Sequence, residues 1–140
     1  MVTAVRTAQL QNVPLFGGLS KSELKLVAGL VREQRYPAGS AIVKEGSTGQ
    51  GLYIIAEGNV SVRKQGRRVA RLGPGAFFGE MAVLDSGPRT ATVEADTETV
   101  CLTLASWEIK PLLLEQASMT YKMLQEVVRR VRRASSDVAD

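Results

Sequence analysis

The chain is 140 residues long with a net charge of +4, 44% hydrophobic and 23% charged residues, the size and balance of one folded domain rather than of a disordered or collagenous chain. It has no histidine and a single cysteine, Cys101, which removes internal disulfides, CxxC metal and redox motifs, most zinc sites and every histidine-based nucleophilic triad. The N-terminus lacks a signal-type apolar core and no stretch is apolar for long enough to cross a bilayer, so with its lone thiol the chain is expected in the cytoplasm.

In chain order, a short helix is predicted over 4–11, ended by Asn12-Val13-Pro14. Ser20 and Glu23 have capping-box spacing, and Leu24, Val27, Ala28 and Val31 follow at helical intervals. They predict a helix over 21–30. From residue 35 to 104 the pattern changes to short Val-, Ile- and Leu-rich runs at 41–43, 52–55, 60–62, 69–72, 91–93 and 100–104, punctuated by glycines. Many short strands predict an antiparallel sandwich, roll or barrel. Cys101 should be a small buried hydrophobe within one of them.

After Leu104 the period becomes helical again. Ser106 is a candidate N-cap with Glu108 in the first turn, and Pro111 should kink or interrupt the helix. Trp107 is expected in the core or at a seam. Ser118 is a candidate cap for a second helix, in which Tyr121, Leu124, Val128 and Val131 form one apolar stripe. Arg129, Arg130, Arg132 and Arg133 load its last turns, where cations suit the helix dipole. Residues 134–140 should fray. Asp85, Glu94, Asp96 and Glu98 read as edge-loop carboxylates rather than a metal site.

The stretch 75–93 carries the chemistry. A strand end, Phe77-Phe78, runs into Gly79; a helical turn is predicted over about 80–84; Gly87-Pro88 makes a turn; Arg89 is then delivered at a strand start. A helix N-terminus holds anions, glycine lets backbone approach closely, and a guanidinium is a permanently charged fork for phosphate oxygens. Glu80 would repel a bare phosphate but accepts hydrogen bonds from sugar hydroxyls. Phosphate plus ribose implies a nucleotide. Taken singly, Arg89 reads as a surface arginine and Glu80 as a helix cap; together they favour a pocket.

At these residues, Phe78-Gly79-Glu80-Met81-Ala82 followed by Pro88-Arg89-Thr90-Ala91-Thr92-Val93, the sequence resembles the phosphate-binding cassette of cyclic nucleotide-binding domains. That family includes kinase regulatory subunits, cyclic-nucleotide-gated channels and catabolite-activator-type regulators; the bacterial potassium-channel type is nearest in flavour. Val13-Pro14-Leu15-Phe16, Pro37-Ala38-Gly39, Glu45-Gly46, the run from Leu52 to Val60 and Leu72-Gly73-Pro74-Gly75 also resemble the family. The resemblance implies that Arg89 pairs with the cyclic phosphate, that Glu80 accepts from the ribose 2′-hydroxyl, and that the backbone of Gly79, Met81 and Ala82 donates to the ligand. It further implies that Thr90 bonds phosphate or base, that Val60, Val62, Leu72 and Phe77 form the apolar wall by the base, and that Val128, Arg130 or Val131 of a lid helix lies nearest the purine. Val128 and Val131 read more readily as ordinary packing, and the arginine cluster as a solvated helix end.

The implied fold is α+β, mainly β: an eight-stranded antiparallel β-roll or jelly roll with N-terminal helices, a short phosphate-binding-cassette helix and two C-terminal lid helices. One domain is expected over 1–140, divided into a helical segment 1–33, a roll 34–105 with its cassette at 78–92, and helices 106–134. The expected function is sensing of a cyclic nucleotide, cAMP favoured, with cGMP or dual selectivity left open by Thr90. Jelly-roll enzymes of the cupin kind need a histidine-rich metal site, so no catalysis, metal or cofactor is expected. The expected partners are the nucleotide and a protein effector or a second copy through the C-terminal helix. Too few residues follow Arg133 for a helix-turn-helix within this chain, so DNA reading by it alone is not expected.

Overall fold

The computed structural model describes residues 2–48, 51–79 and 87–134; the helical turn expected near 80–84, with Glu80, Met81 and Ala82, and the tail after residue 134 lie outside the described residues. Helix α1 spans Val2–Gln11, a 3₁₀ turn spans Pro14–Phe16, and α2 spans Lys21–Ala28. The capping box forms as its spacing predicts. Glu23 N–H donates to Ser20 Oγ at 3.2 Å and Ser20 N–H donates to Glu23 Oε1 at 2.8 Å. Gly29 ends α2 two residues before the expected limit, its N–H donating to Lys25 O.

Eight strands follow among the described residues: β1 Arg32–Tyr36, β2 Ala41–Val43, β3 Gly51–Glu57, β4 Val60–Lys64, β5 Arg67–Leu72, β6 Phe77–Phe78, β7 Thr92–Ala95 and β8 Thr99–Ala105. They form two antiparallel four-stranded sheets, ordered β1-β8-β3-β6 and β2-β7-β4-β5. Strand β8 is the spine of the first sheet, with Gln34↔Cys101 on one side and Ile55↔Cys101 on the other. The β4–β5 hairpin turns through Gln65 and Gly66, both at positive φ, the left-handed pair that a two-residue hairpin needs.

The central strands β3 and β8 of the first sheet are packed on both faces. Leu52, Ile54, Leu102 and Leu104 pack with Leu10, Phe16, Leu24 and Met119 of the helical layer. Ile55, Cys101 and Phe78 face the second sheet, where Val60 and Val93 meet them. Alternation along a strand sends neighbours to opposite layers, so Cys101 is a buried hydrophobe between the sheets. Burial pushes its thiol up to about 11 and, as the main cause, the Tyr36 phenol up to about 12.

Two C-terminal helices close the chain, α3 Ser106–Glu115 and α4 Ala117–Ala134. Several local expectations are corrected here. Ala105, without a side-chain bond, is the cap of α3, and Pro111 lies inside the helix without interrupting it. The bond that proline forfeits belongs to the carbonyl of Trp107, a residue that is 65% exposed rather than core. Helix α4 starts one residue before Ser118. Its expected stripe faces outward: Tyr121, Leu124, Val128 and Val131 are all exposed, whereas Met119 and Met123 are buried. Both sets obey helical spacing, and the flexible methionines fit the irregular gap against α1, α2 and the 3₁₀ turn. Strand β1, Arg-Glu-Gln-Arg-Tyr, had no apolar signature because it is an exposed sheet edge defended by charge. Among the described residues no helix is long and apolar enough to cross a membrane.

Candidate functional site

Strand β6 sets the site. Tyr53↔Phe78 pairing brings two rings together, centroids 5.0 Å apart and planes within 1°. The chain then turns at Gly79, φ +91°. A side chain there would be strained by that φ, would lie 2.7 Å from Gly51 O, and would overlap the Arg89 guanidinium at Nη1. Glycine is what allows Arg89 to sit directly against the backbone.

Arg89 is held from both ends. Its N–H donates to Ser47 O at 2.8 Å and its carbonyl accepts from Gly46 N–H at 2.8 Å. Pro88 bridges Thr48 next to it. The arginine therefore sits ahead of β7, fixed by the 44–48 loop rather than by the strand start. Nη2 donates to Gly51 O at 3.0 Å, and the guanidinium lies 5.5 Å from the Tyr53 ring centroid. The residue is only 7% exposed. An arginine cannot shed its proton to relieve burial, so this position favours an anion brought to it.

Next to Arg89 lies a cavity of about 230 Å³. Gly79, Arg89 and Thr90 form its polar end, and Val43, Val62, Ala70, Leu72 and Val93 form an apolar wall. Arg130 reaches its rim from α4. A charged, glycine-approached end beside an apolar wall suits a ligand with a phosphate at one end and a flat ring at the other.

Of the residues singled out in the sequence, Gly79, Arg89, Thr90, Val62, Leu72 and Arg130 come together at this cavity. Val60 is fully buried in the core between the sheets and does not line it. Phe77 points to the helical layer and lines a smaller cavity of about 180 Å³ with Leu72, Ala76 and Arg130. The Arg130 guanidinium sits 4.5 Å from the Phe77 ring centroid. Val128 and Val131 are exposed and line neither cavity. Glu80, Met81 and Ala82 lie outside the described residues. Tyr53 and Gly51 were missed by sequence reading. The apolar run 52–55 was the only signal for Tyr53, and it names a strand, not a cation near the ring.

Asp85 lies outside the described residues; the other three acidic residues are accounted for by other groups. Glu94 pairs with Arg63 at 2.8 Å, Glu98 with Arg35 at 3.7 Å, and Asp96 accepts from the buried Ser61 hydroxyl at 2.8 and 2.9 Å. Among the described residues no cluster of His, Cys, Asp and Glu could hold a metal.

The sequence pattern of the cyclic nucleotide-binding domain matches residues 33–116. The chain belongs to that family. It is 33% identical over 134 residues to the cyclic AMP receptor protein of Thermus thermophilus, covering 92% of this chain and 62% of the receptor. It is 40% identical over 100 residues to a cyclic nucleotide-gated potassium channel of Mesorhizobium japonicum, covering 71% of this chain and 28% of the channel. The chain thus spans less than two thirds of either relative. Among solved structures, the N-terminal domain of a transcriptional regulator from Streptomyces coelicolor A3(2) superposes with a TM-score of 0.79 at 31% identity, covering 94% of this chain and 98% of that one.

Proposed function

We propose that this cyclic nucleotide-binding domain is a regulatory sensor for cAMP, without catalytic activity, working in the cytoplasm as a single domain over 1–140. The observation that carries the reading is the convergence of Gly79 and the buried Arg89 on one cavity with an apolar wall. In this reading Arg89 takes the cyclic phosphate, Glu80 the ribose 2′-hydroxyl, and the backbone of Gly79, Met81 and Ala82 donates to the ligand. Val62 and Leu72 lie along the purine. No metal or other cofactor takes part.

Arg130 supports a role for α4 in transmission. It belongs to the last helix, yet it lines the ligand cavity and rests on Phe77 of the roll. A ligand that contacts Arg130 better in one position of α4 shifts the helix toward that position. The exposed stripe of Tyr121, Leu124, Val128 and Val131 is then the surface that carries the change to an effector or a second copy, within a transcription regulator or a channel.

Thr90 at the polar end of the cavity favours one second reading, a cGMP-selective or dual sensor, because its hydroxyl is a further donor and acceptor beside the phosphate site. Side-by-side calorimetric titration of the chain with cAMP and cGMP tests both. The cAMP reading expects saturable 1:1 heat with tighter binding of cAMP. Tighter cGMP binding gives the second reading, and no heat with either nucleotide removes both.

A further inference from the structure

Arg89 lines two cavities, the one already described and a second. Its Nη1 lies against Gly79 and its Nη2 donates to Gly51 O. Beyond Gly51 and Tyr53 opens a second groove of about 670 Å³, well inside the ~300–1,000 Å³ range of small-molecule sites. It lies where edge strands β1 and β2 of the two sheets part.

The chemistry of this groove is one-sided. Lys44, Arg32 and Arg89 line it, and no Asp or Glu is among its described lining residues. Arg32 is engaged by Glu108 at 3.2 Å; Lys44 is exposed and Arg89 is buried. Ile42, Tyr53 and Trp107 also line the groove. Trp107 is 65% exposed although it is the chain's one tryptophan and a large apolar surface. An exposed indole in a groove lined by cations and lacking described carboxylates suits a ring that carries an anionic group.

We infer that this groove is a second ligand site, taking a planar aromatic anion of the size of a nucleoside 5′-monophosphate. Because Arg89 is shared, an anion in the groove and an anion in the first cavity weaken each other's binding, and by the same factor in both directions. The groove site does not depend on the cAMP assignment.

The test uses the full chain and adenosine 5′-monophosphate, read by the emission of Trp107, which is free of interference from any other tryptophan. A saturable change in emission is expected. Lys44→Ala should weaken it roughly tenfold, the loss of one charge-assisted contact, and Lys44→Glu by more. Lys44 lies outside the first cavity, so calorimetric cAMP affinity of Lys44→Ala should stay within about twofold. The inference is overturned if emission does not change up to millimolar nucleotide, if the change survives Lys44→Ala, or if Lys44→Ala weakens cAMP as much as the monophosphate. A chain that binds no cAMP but shows the Lys44-dependent emission change would sink the sensor reading and keep the groove.

Discussion

Two arginines line one cavity and are built in opposite ways. Arg89 comes from the roll. It is buried, its backbone is bonded on both sides to the 44–48 loop, and its guanidinium is braced by Gly51 O and the Tyr53 ring. Arg130 comes from α4. It is half-buried and rests on Phe77 near the end of a helix whose flanking Val128 and Val131 are in solvent. The first is preorganised to grip; the second is placed to respond. Preorganisation lowers the ordering cost of binding, while a lightly attached helix end is where a modest ligand contact can move an equilibrium.

That contrast can be broken in order of expected effect. Arg89→Ala should cost on the order of 2–5 kcal/mol of cyclic-nucleotide affinity, the range for removing a partner of a buried charged contact. Calorimetry checks it, and a loss no larger than that of Arg130→Ala would erase the distinction. Gly79→Ala forces a left-handed φ of +91° on a residue with a side chain and drives that side chain into Arg89. The backbone penalty alone is about 1–2 kcal/mol, so both melting temperature and affinity should fall.

Arg130→Ala should be milder. It removes a cation–π contact worth about 0.5–1 kcal/mol at an exposed site, so affinity should drop by only a few-fold, with the loss appearing in the off-rate in stopped-flow measurements. Thr90→Ala should be milder still toward cAMP and weaken cGMP more; equal losses would remove Thr90 from selectivity.

The smallest effect concerns the anchored half of α4. Lys122 Nζ donates to Glu23 Oε1 at 2.9 Å, tying α4 to the capping box of α2. The Ser20 N–H, followed by Lys122, holds the Glu23 carboxyl below its usual value of 4.5. A lowered folded-state value contributes stability that is present above pH 4.5 and is lost as the pH falls through the folded-state value. Glu23→Gln should therefore lower the melting temperature slightly at neutral pH, and its difference from the parent should vanish in acid. A difference that persists in acid would mean the carboxylate charge is not what matters.

Much of this was legible in the chain because several signals agreed. The capping box, the apolar runs of β2, β3, β4 and β8, and the Gly79-to-Arg89 spacing each reported a local rule that the fold obeys. What was hidden depended on tertiary choice. In α4 two stripes satisfy the same helical period, and only packing decides that Met119 and Met123 turn inward. Phe77 and Phe78 are equally apolar, but strand alternation sends them to different layers. Val60 and Val62 share a face of β4, yet only Val62 reaches the cavity. Trp107 was expected in the core or at a seam, and sequence alone does not show that it is largely exposed and lines a groove.

The central claim is that Arg89 is where the ligand's charge is met. The most direct measurement is a crystal structure of the chain with cAMP. Cyclic-phosphate oxygens are expected about 2.7–2.9 Å from the Arg89 guanidinium nitrogens, with the purine along Val62 and Leu72. An ordered nucleotide bound elsewhere, with Arg89 still turned only to Gly51 O and Tyr53, would contradict it.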